Sequence, residues 1–345
     1  MSKCADLANL IGNINAGGGG ANRNLVINGK MAISQRSTSV TGATTGAYYT
    51  IDRFRTDHVG FTGTYTQSTD VPSGYGFSNS YKIENTSAAS SNGGTLRLDQ
   101  RIEAQNLRNS GWDYTNSSSS LSYNFWAKSS VAGTYFVGFR TDDGTARQFT
   151  KAFTLSANTW KNVSFPIFGD SNLTFNNDNG HGCLLAIHID EATGQSDSGH
   201  TLDGWQNYSS SSRTPDFSQK WTETVNATFL TTGWQLEVGR NPTVFEHEPF
   251  ERTLERCQRY YQVIGFNNQD YPPTGGYLDC QINFPTQMRA DPSAAITDGT
   301  KGGLSGTATA THNRTTTGCR VENQTSGNGS RAYHFGGSVA FSSEL

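Results

Sequence analysis

The sequence predicts an all-β protein, and three observations support this fold class. Hydrophobic residues make up only 34% of the chain, yet aromatic residues reach 11%, a content that argues against disorder. The 38 glycines recur in clusters with serine, threonine and asparagine that are typical of turns. Between the clusters, short runs alternate apolar and polar residues with the period of a half-buried strand.

Residues 1–22 form a separate segment in which Ser2 is suited to cap a short helix and a run of four glycines occupies 17–20. The apolar positions that would share one helix face are Leu7, Leu10, Ile11 and Ile14. So short a helix is unstable alone, and the segment either frays or docks. The sharper hypothesis is an attachment segment, joined by a glycine-rich linker, that holds the chain on a larger body.

Residues 23–248 have the pattern of a large antiparallel β-sandwich. Clear alternating runs centre on Tyr123, Val137, Phe165, Ile187 and Leu236. One polar face per strand is expected when a sheet is covered on one side only. The most economical arrangement is a jelly roll with long polar loops at 87–94, 116–120 and 208–213.

A linking helix is predicted at 249–265, where Pro249 suits the first helical position and Gly265 ends the pattern. Apolar residues recur within it at spacings of 4, 3, 4 and 3: Phe250, Leu254, Cys257, Tyr261 and Ile264. A period of about 3.5 residues is that of a coiled-coil stripe. These five residues are therefore the predicted interface between copies of the chain.

Residues 266–345 return to the strand pattern and predict a small C-terminal β domain. Leu278, Cys280 and Ile282 alternate with polar residues, and 338–341 predicts a last strand. So short a domain buries only a thin core, and we expect it to lean on a partner.

Charge and composition exclude several function classes. The net charge is −3, without the basic excess of a nucleic-acid-binding protein. No apolar run approaches the roughly 20 residues that a membrane helix needs, and the start has no secretory-signal pattern. The five cysteines lack CxxC spacing, which favours reduced thiols. We therefore expect neither nucleic-acid binding nor membrane insertion.

The sequence contains no nucleophile elbow, no HExxH motif and no phosphate-binding loop. His188 and Asp190 would share one strand face as conceivable metal ligands, although polar residues on a solvated face fit this pattern better. Acidic residues that could pair for glycoside cleavage are Asp142, Asp143, Glu191 and Asp203. We expect no catalytic residues, no metal and no cofactor.

Two loop stretches combine aromatic rings with amide and hydroxyl groups, which suits sugars because their CH faces stack on rings and their hydroxyls form hydrogen bonds. The predicted ligand-binding residues are Trp112, Tyr114, Trp205 and Tyr208. Other tryptophans lie within strand patterns and are expected to pack in the core or on a sheet face: Trp126, Trp160 and Trp234.

Several stretches resemble bacteriophage tail-fibre proteins. The opening of the large domain does so at 24–31 (NLVINGKM), 35–36 and 52–54, and further matches lie at 125–130 and 158–160. The junction matches best, at 235–239 (QLEVG), 242–246 and 254–261, and the chain end at 340–345 is similar as well. The resemblance spans residues 24–345 and implies a carbohydrate-binding-module-like jelly roll.

The resemblance implies a structural virion protein, assembled in the host cytoplasm. It would be a homotrimeric tail fibre or receptor-binding adhesin that contacts other virion proteins through residues 1–22 and recognises host cell-surface glycans. One alternative is a capsid decoration or head-fibre protein of the same fold. A polysaccharide-degrading tailspike is less favoured, because the sequence lacks the repeats of a β-helix.

Overall fold

The computed structural model describes Cys4 and residues 23–270, 276–302, 304, 309–324 and 333–345. The predicted attachment residues Leu7, Leu10, Ile11 and Ile14 lie outside the described residues. The described chain forms two compact units, one up to Phe250 together with Leu345 and one from Glu251 to Glu344.

Within residues 23–249, the first unit contains twelve strands and one short helix. Its strands are β1 (Ser39–Ala43), β2 (Arg55–Val59), β3 (Thr62–Ser68), β4 (Ser80–Ser87), β5 (Thr95–Glu103), β6 (Ser120–Ser129), β7 (Gly133–Thr141), β8 (Arg147–Leu155), β9 (Lys161–Phe168), β10 (His181–Asp190), β11 (Trp205–Asn207) and β12 (Thr228–Val238). Helix α1 (Ala104–Arg108) follows β5.

These strands form two six-stranded antiparallel sheets. The first sheet has the order β1-β3-β4-β12-β6-β9, and the second has the order β11-β8-β7-β10-β5-β2. Within them, β4-β12-β6-β9 and β8-β7-β10-β5 are two four-stranded halves. Along the chain, consecutive strands of this set change sheet except at the β7–β8 hairpin. This eight-strand order is that of a jelly roll, and it confirms the predicted all-β class.

The predicted alternation positions the core between the two sheets. On β6, Leu121, Tyr123 and Phe125 are fully buried, whereas the side chains between them form the outer face. The inner faces of β7, β10 and β12 contribute further buried rings and aliphatic chains, among them Trp234. Period-2 patterning therefore determined which face of each strand packs inward.

The described part of the second unit contains α2 (Phe250–Gln258) and six strands. The strands are β13 (Tyr261–Asp270), β14 (Tyr277–Asn283), β15 (Ser293–Gly302), β16 (Thr309–His312), β17 (Gly318–Gln324) and β18 (Tyr333–Ser342). They form two three-stranded sheets, β13-β18-β15 and β14-β17-β16. The small core is lined by Phe266, Leu278, Ile282, Met288, Cys319, Val321, Phe335, Val339 and Phe341.

The helix prediction is wrong beyond Gln258. Residues 260–264 (YYQVI) are aromatic and β-branched apart from Gln262 and favour a strand, and β13 pairs with β18 along its whole length. Tyr261 and Ile264 are an odd number of residues apart and face opposite sides of this strand. Phe250, Leu254, Cys257, Tyr261 and Ile264 thus form no continuous helical stripe, and Phe250 is 53% exposed.

No helix within the described ranges is long and apolar enough to cross a membrane.

Candidate functional site

Trp112, predicted to bind a ligand, is 3% exposed. Its ring lies 6.2 Å from Tyr114, 6.4 Å from Phe139 and 6.1 Å from Phe175, measured between ring centroids. Tyr114 is half-buried and packs edge-on against Phe175 at 5.0 Å. The loop after α1 therefore directs Trp112 into one end of the sandwich, where no ring face is open to a sugar.

Trp205 also faces inward, while Tyr208 lies on the outer side of the second sheet. The Trp205 ring packs 5.8 Å from Phe139, and its indole N–H donates a hydrogen bond to the Phe168 carbonyl at 2.7 Å. The Tyr208 ring lies beneath the Arg140 guanidinium, 4.6 Å from the ring centroid. Ligand binding by these residues stays a prediction, and Tyr208 alone of the four has an outward position.

The outer face of the second sheet carries a buried charge network. Arg97 is 6% exposed and pairs with Asp57 at 3.1 Å and Asp99 at 3.3 Å. Burial lowers the pKa of His188, whose imidazole contacts Glu191 at 2.6 Å. Each charge here has a protein partner, as buried charges require.

A segment that follows β10 covers much of this face. Phe217 packs edge-on against Phe136 at 4.9 Å, and the His200 imidazole is 2.8 Å from the Thr150 hydroxyl. What stays open beside Arg140 and Tyr208 is a pocket of about 20 Å³, roughly the space of one water molecule. A pocket of this size has no room for a sugar ring.

The acidic residues considered as metal ligands or as paired catalytic acids contact other groups of the protein. Asp190 accepts hydrogen bonds from the backbone and hydroxyl of Thr222 at 2.9 and 2.7 Å. Asp142 pairs with Arg140 at 2.8 Å, and burial raises the pKa of Asp143. The described residues contain no group of three or more side chains arranged to hold a metal ion.

Three aromatic residues that are exposed or half-exposed lie on the outer face of the first sheet. Trp126 projects outward from β6 and is half-exposed. The Tyr75 ring, from the loop between β3 and β4, lies 4.4 Å from the Trp126 ring at an angle of 49° and is 54% exposed. Trp160 precedes β9 and is half-exposed as well. We call Tyr75, Trp126 and Trp160 the aromatic face.

The strand register places Trp126 and Trp160 side by side. Trp126 pairs with Asn162 across β6 and β9, which makes Trp160 its diagonal neighbour, at a separation of roughly 7–8 Å. Consistent with this, the Lys128 ammonium lies 5.2 Å from the Trp160 ring centroid. The three rings therefore extend across the sheet from the β3–β4 loop to the edge strand β9.

Asp70 fixes one end of the aromatic face. The indole N–H of Trp160 donates to its carboxylate at 3.0 Å, and Lys128 forms an ion pair with the other carboxylate oxygen. Burial raises the pKa of Asp70, but the hydrogen bonds from Lys128 and Trp160 outweigh burial and hold that pKa below its usual value. The carboxylate is thus charged at neutral pH and orients the indole.

Gly233 brings the backbone of β12 close to the rings. It has φ of +69° and lies where the β12–β6 register shifts between Thr232 and Gln235. A Cβ at this position would lie 2.7 Å from the Phe77 ring and 3.1 Å from the Trp126 ring. Only glycine meets both requirements, so the bulge shapes the floor of the aromatic face.

The aromatic face combines ring surfaces with hydrogen-bonding groups. Asn162 is exposed and lies opposite Trp126, and Asn124, two residues before Trp126 on the same face of β6, is half-exposed. Ring faces accept the CH surface of a sugar, while amides and the Asp70 carboxylate bond its hydroxyls. Sequence reasoning assigned Trp126 and Trp160 to packing. The alternation of β6 could have shown that Trp126 points outward, because Trp126 lies two residues from both Asn124 and Lys128 and shares their face of the strand.

No family model and no curated protein matches this sequence. Among solved structures, a family 11 carbohydrate-binding module from Clostridium thermocellum is similar at 9% identity and a TM-score of 0.30, covering 59% of this chain and 100% of that one. A family 30 carbohydrate-binding module is similar at 12% identity and 0.30, covering 66% and 91%. Discoidin II from Dictyostelium discoideum reaches 10% and 0.21, covering 80% and 86%. The likeness is remote, and the strand order of this chain itself defines its jelly roll.

Proposed function

We propose that this protein is a non-catalytic glycan-binding module of a bacteriophage virion appendage, and that the aromatic face binds a host cell-surface glycan. The observation that carries the proposal is the row of Tyr75, Trp126 and Trp160 on the outer face of the first sheet. Large exposed aromatic clusters are unusual on a monomer surface and mark interaction sites. Their combination with asparagine side chains and a charged carboxylate fits a sugar better than an apolar partner.

The phage setting is supported by the resemblance at 24–31 and 235–246. These stretches contact one another in the first unit, since the Asn24 amide donates to the Trp234 carbonyl at 3.0 Å and its backbone N–H to Glu246 at 2.9 Å. The side chain of Gln235 accepts from the Glu246 backbone at 2.7 Å. The residues that carry the resemblance therefore act as framework, which fits a structural virion protein without a catalytic centre.

The proposal retains a homotrimer attached to other virion proteins through residues 1–22. Two helical turns cannot hold three chains together, so the flanking β domains would share the contact between copies. Light scattering on the full chain should give three times the mass of one chain. A monodisperse monomer at micromolar concentration would exclude the trimer.

The binding test compares Tyr75→Ala with Tyr277→Ala. The two tyrosines are 54% and 59% exposed, and only Tyr75 belongs to the aromatic face. We expect Tyr75→Ala to weaken adsorption to host cells and to isolated lipopolysaccharide or capsule, while Tyr277→Ala binds as the parent chain does. Equal adsorption by the two variants would show that the aromatic face is not the glycan-binding surface.

The position on the particle is tested by cryo-electron microscopy of purified virions. Density at the tail tip or in a tail fibre is the expected result. Density on capsid capsomers would replace the tail-fibre role with capsid decoration. Release of reducing ends from host polysaccharide by the purified chain would overturn the non-catalytic assignment.

A further inference from the structure

A groove runs between β8 and β9, which are strands of different sheets on the same side of the sandwich. It has a volume of about 360 Å³, within the usual range of roughly 300–1,000 Å³ for small-molecule sites. Its apolar floor is formed by Phe153, Val163 and Phe165, which are 6%, 7% and 6% exposed. Among the described residues, β9 has a single sheet neighbour, β6, so its other edge faces the groove.

Two lysines give the groove a positive rim. Lys151 and Lys161 both line it, and none of the lining residues is acidic. The Lys161 ammonium donates to the Thr154 carbonyl at 2.9 Å, which positions the charge at the rim without neutralising it. The Lys151 ammonium pairs at 2.7 Å with Asp203, whose side chain is 58% exposed, and solvent makes such a pair weak and exchangeable.

The groove is continuous with the aromatic face. Lys161 directly follows Trp160, and Asn162 both lines the groove and pairs with Trp126 across β6 and β9. A chain of sugar units that stacks on Trp126 and Trp160 can therefore continue over the edge of β9 and reach both ammonium groups. Lysines at this point favour a sugar that carries a negative charge.

We propose that the groove binds an acidic sugar unit, such as a uronic acid, of the same glycan chain that stacks on the aromatic face. This inference rests on the proposed function and adds the ligand class, an anionic polysaccharide. Because the ion pairs are exposed, each lysine contributes roughly two- to fivefold to the affinity for an acidic chain. The preference is weakened by salt, since a Debye length of about 8 Å at physiological ionic strength screens exposed charges.

The test uses two oligosaccharides that differ only in charge, cellohexaose and the corresponding β-1,4-linked hexamer of glucuronic acid, titrated into the full chain by calorimetry. We expect tighter binding of the acidic hexamer, and the double variant Lys151→Gln/Lys161→Gln should lose that advantage while retaining the affinity for cellohexaose. Lys220→Gln removes one lysine charge outside the groove and should leave the preference intact.

Asp203→Asn provides a gain-of-function test. Asp203 has φ of +61°, a conformation that asparagine also tolerates, so the variant should fold. Removing the carboxylate releases Lys151, and we expect two- to fivefold tighter binding of the acidic hexamer. Equal binding of the two hexamers, or an acidic preference that survives the double lysine variant, would overturn the anionic-ligand inference and leave glycan binding standing. Binding of neither hexamer, nor of any sugar on an array of neutral and acidic bacterial glycans, would remove the proposed function too.

Discussion

Replacing Trp126 by alanine separates a binding role from a packing role. The change removes a ring that lies 4.4 Å from Tyr75 on the outer face of β6, so it opens no cavity in the core. An aromatic pair of this kind is worth about 0.5–1.5 kcal/mol. For a unit of this size, that lowers Tm by roughly 1–6 °C.

Binding should fall much further than stability. Truncation of a tryptophan at the centre of an interface typically costs about 2 kcal/mol or more, which corresponds to roughly a thirtyfold loss of affinity. Trp234→Ala is the matched reference, because Trp234 is 0% exposed and its truncation in the core costs about 3–5 kcal/mol.

The assay pairs scanning calorimetry with titration of host glycan for both variants. We expect Trp126→Ala to melt near the parent chain and to bind at least thirtyfold more weakly, whereas Trp234→Ala melts far lower. Parent-like affinity of Trp126→Ala, or a loss of stability as large as that of Trp234→Ala, would refute the assignment of Trp126 to a binding surface.

Three further predictions concern other residues. Trp112→Ala should cost about 3–5 kcal/mol of unfolding free energy in urea titrations, because Trp112 is 3% exposed; a parent-like midpoint would contradict its burial. Gly233→Ala should lower the free energy of unfolding by about 1–2 kcal/mol, because residue 233 has a left-handed backbone. It should also weaken glycan binding, because a Cβ would lie 2.7 Å from the Phe77 ring. Unchanged binding would show that the bulge does not shape the aromatic face. The pKa of Asp70 is lowered from its ordinary 3.8, so its carboxylate is fully charged at any pH well above 3.8. We therefore expect Asp70 to contribute fully to glycan binding above that pH. The contribution should be lost as the pH falls through the lower pKa of the folded state. Binding by Asp70→Asn, measured across the same pH range, should lack this acid dependence.

The strands of the first unit could be predicted because their signal is local. Tyr123, Phe165 and Leu236 lie in runs whose period matches a sheet with one buried face, and the structure buries them. The pairing order of the strands is not local, since β4 and β6 both pair with β12. The jelly roll was therefore predicted as the simplest fold for this number of strands, and the pairing of the strands could not be predicted.

The second half of the linking helix shows where pattern reasoning fails. Tyr261 and Ile264 fit an apolar spacing of three, which a helix and a strand of aromatic and β-branched residues both allow over so short a run. The decision came from β18, whose residues 333–342 pair with β13. No feature near Tyr261 in the sequence reports a partner so far along the chain.

The burial of Trp112 could not be predicted from the sequence for a related reason. A tryptophan flanked by glycine and aspartate, such as Trp112, has the local pattern of an exposed loop, yet it closes one end of the sandwich. The outward direction of Trp126 could be inferred from the alternation of polar and apolar residues along β6. The position of Tyr75 was not, because it depends on how the loop after β3 folds back over Gly233.

The most direct test of the aromatic face is a ¹⁹F NMR titration of the full chain labelled with 5-fluorotryptophan. The six tryptophans give one signal each, assigned by single substitutions, and the added ligand is oligosaccharide released from the host capsule or lipopolysaccharide. We predict that the signals of Trp126 and Trp160 shift on titration and that four signals do not: those of Trp112, Trp205, Trp221 and Trp234. Shifts at Trp112 and Trp205 with none at Trp126 and Trp160 would contradict the account and place the ligand at the loops.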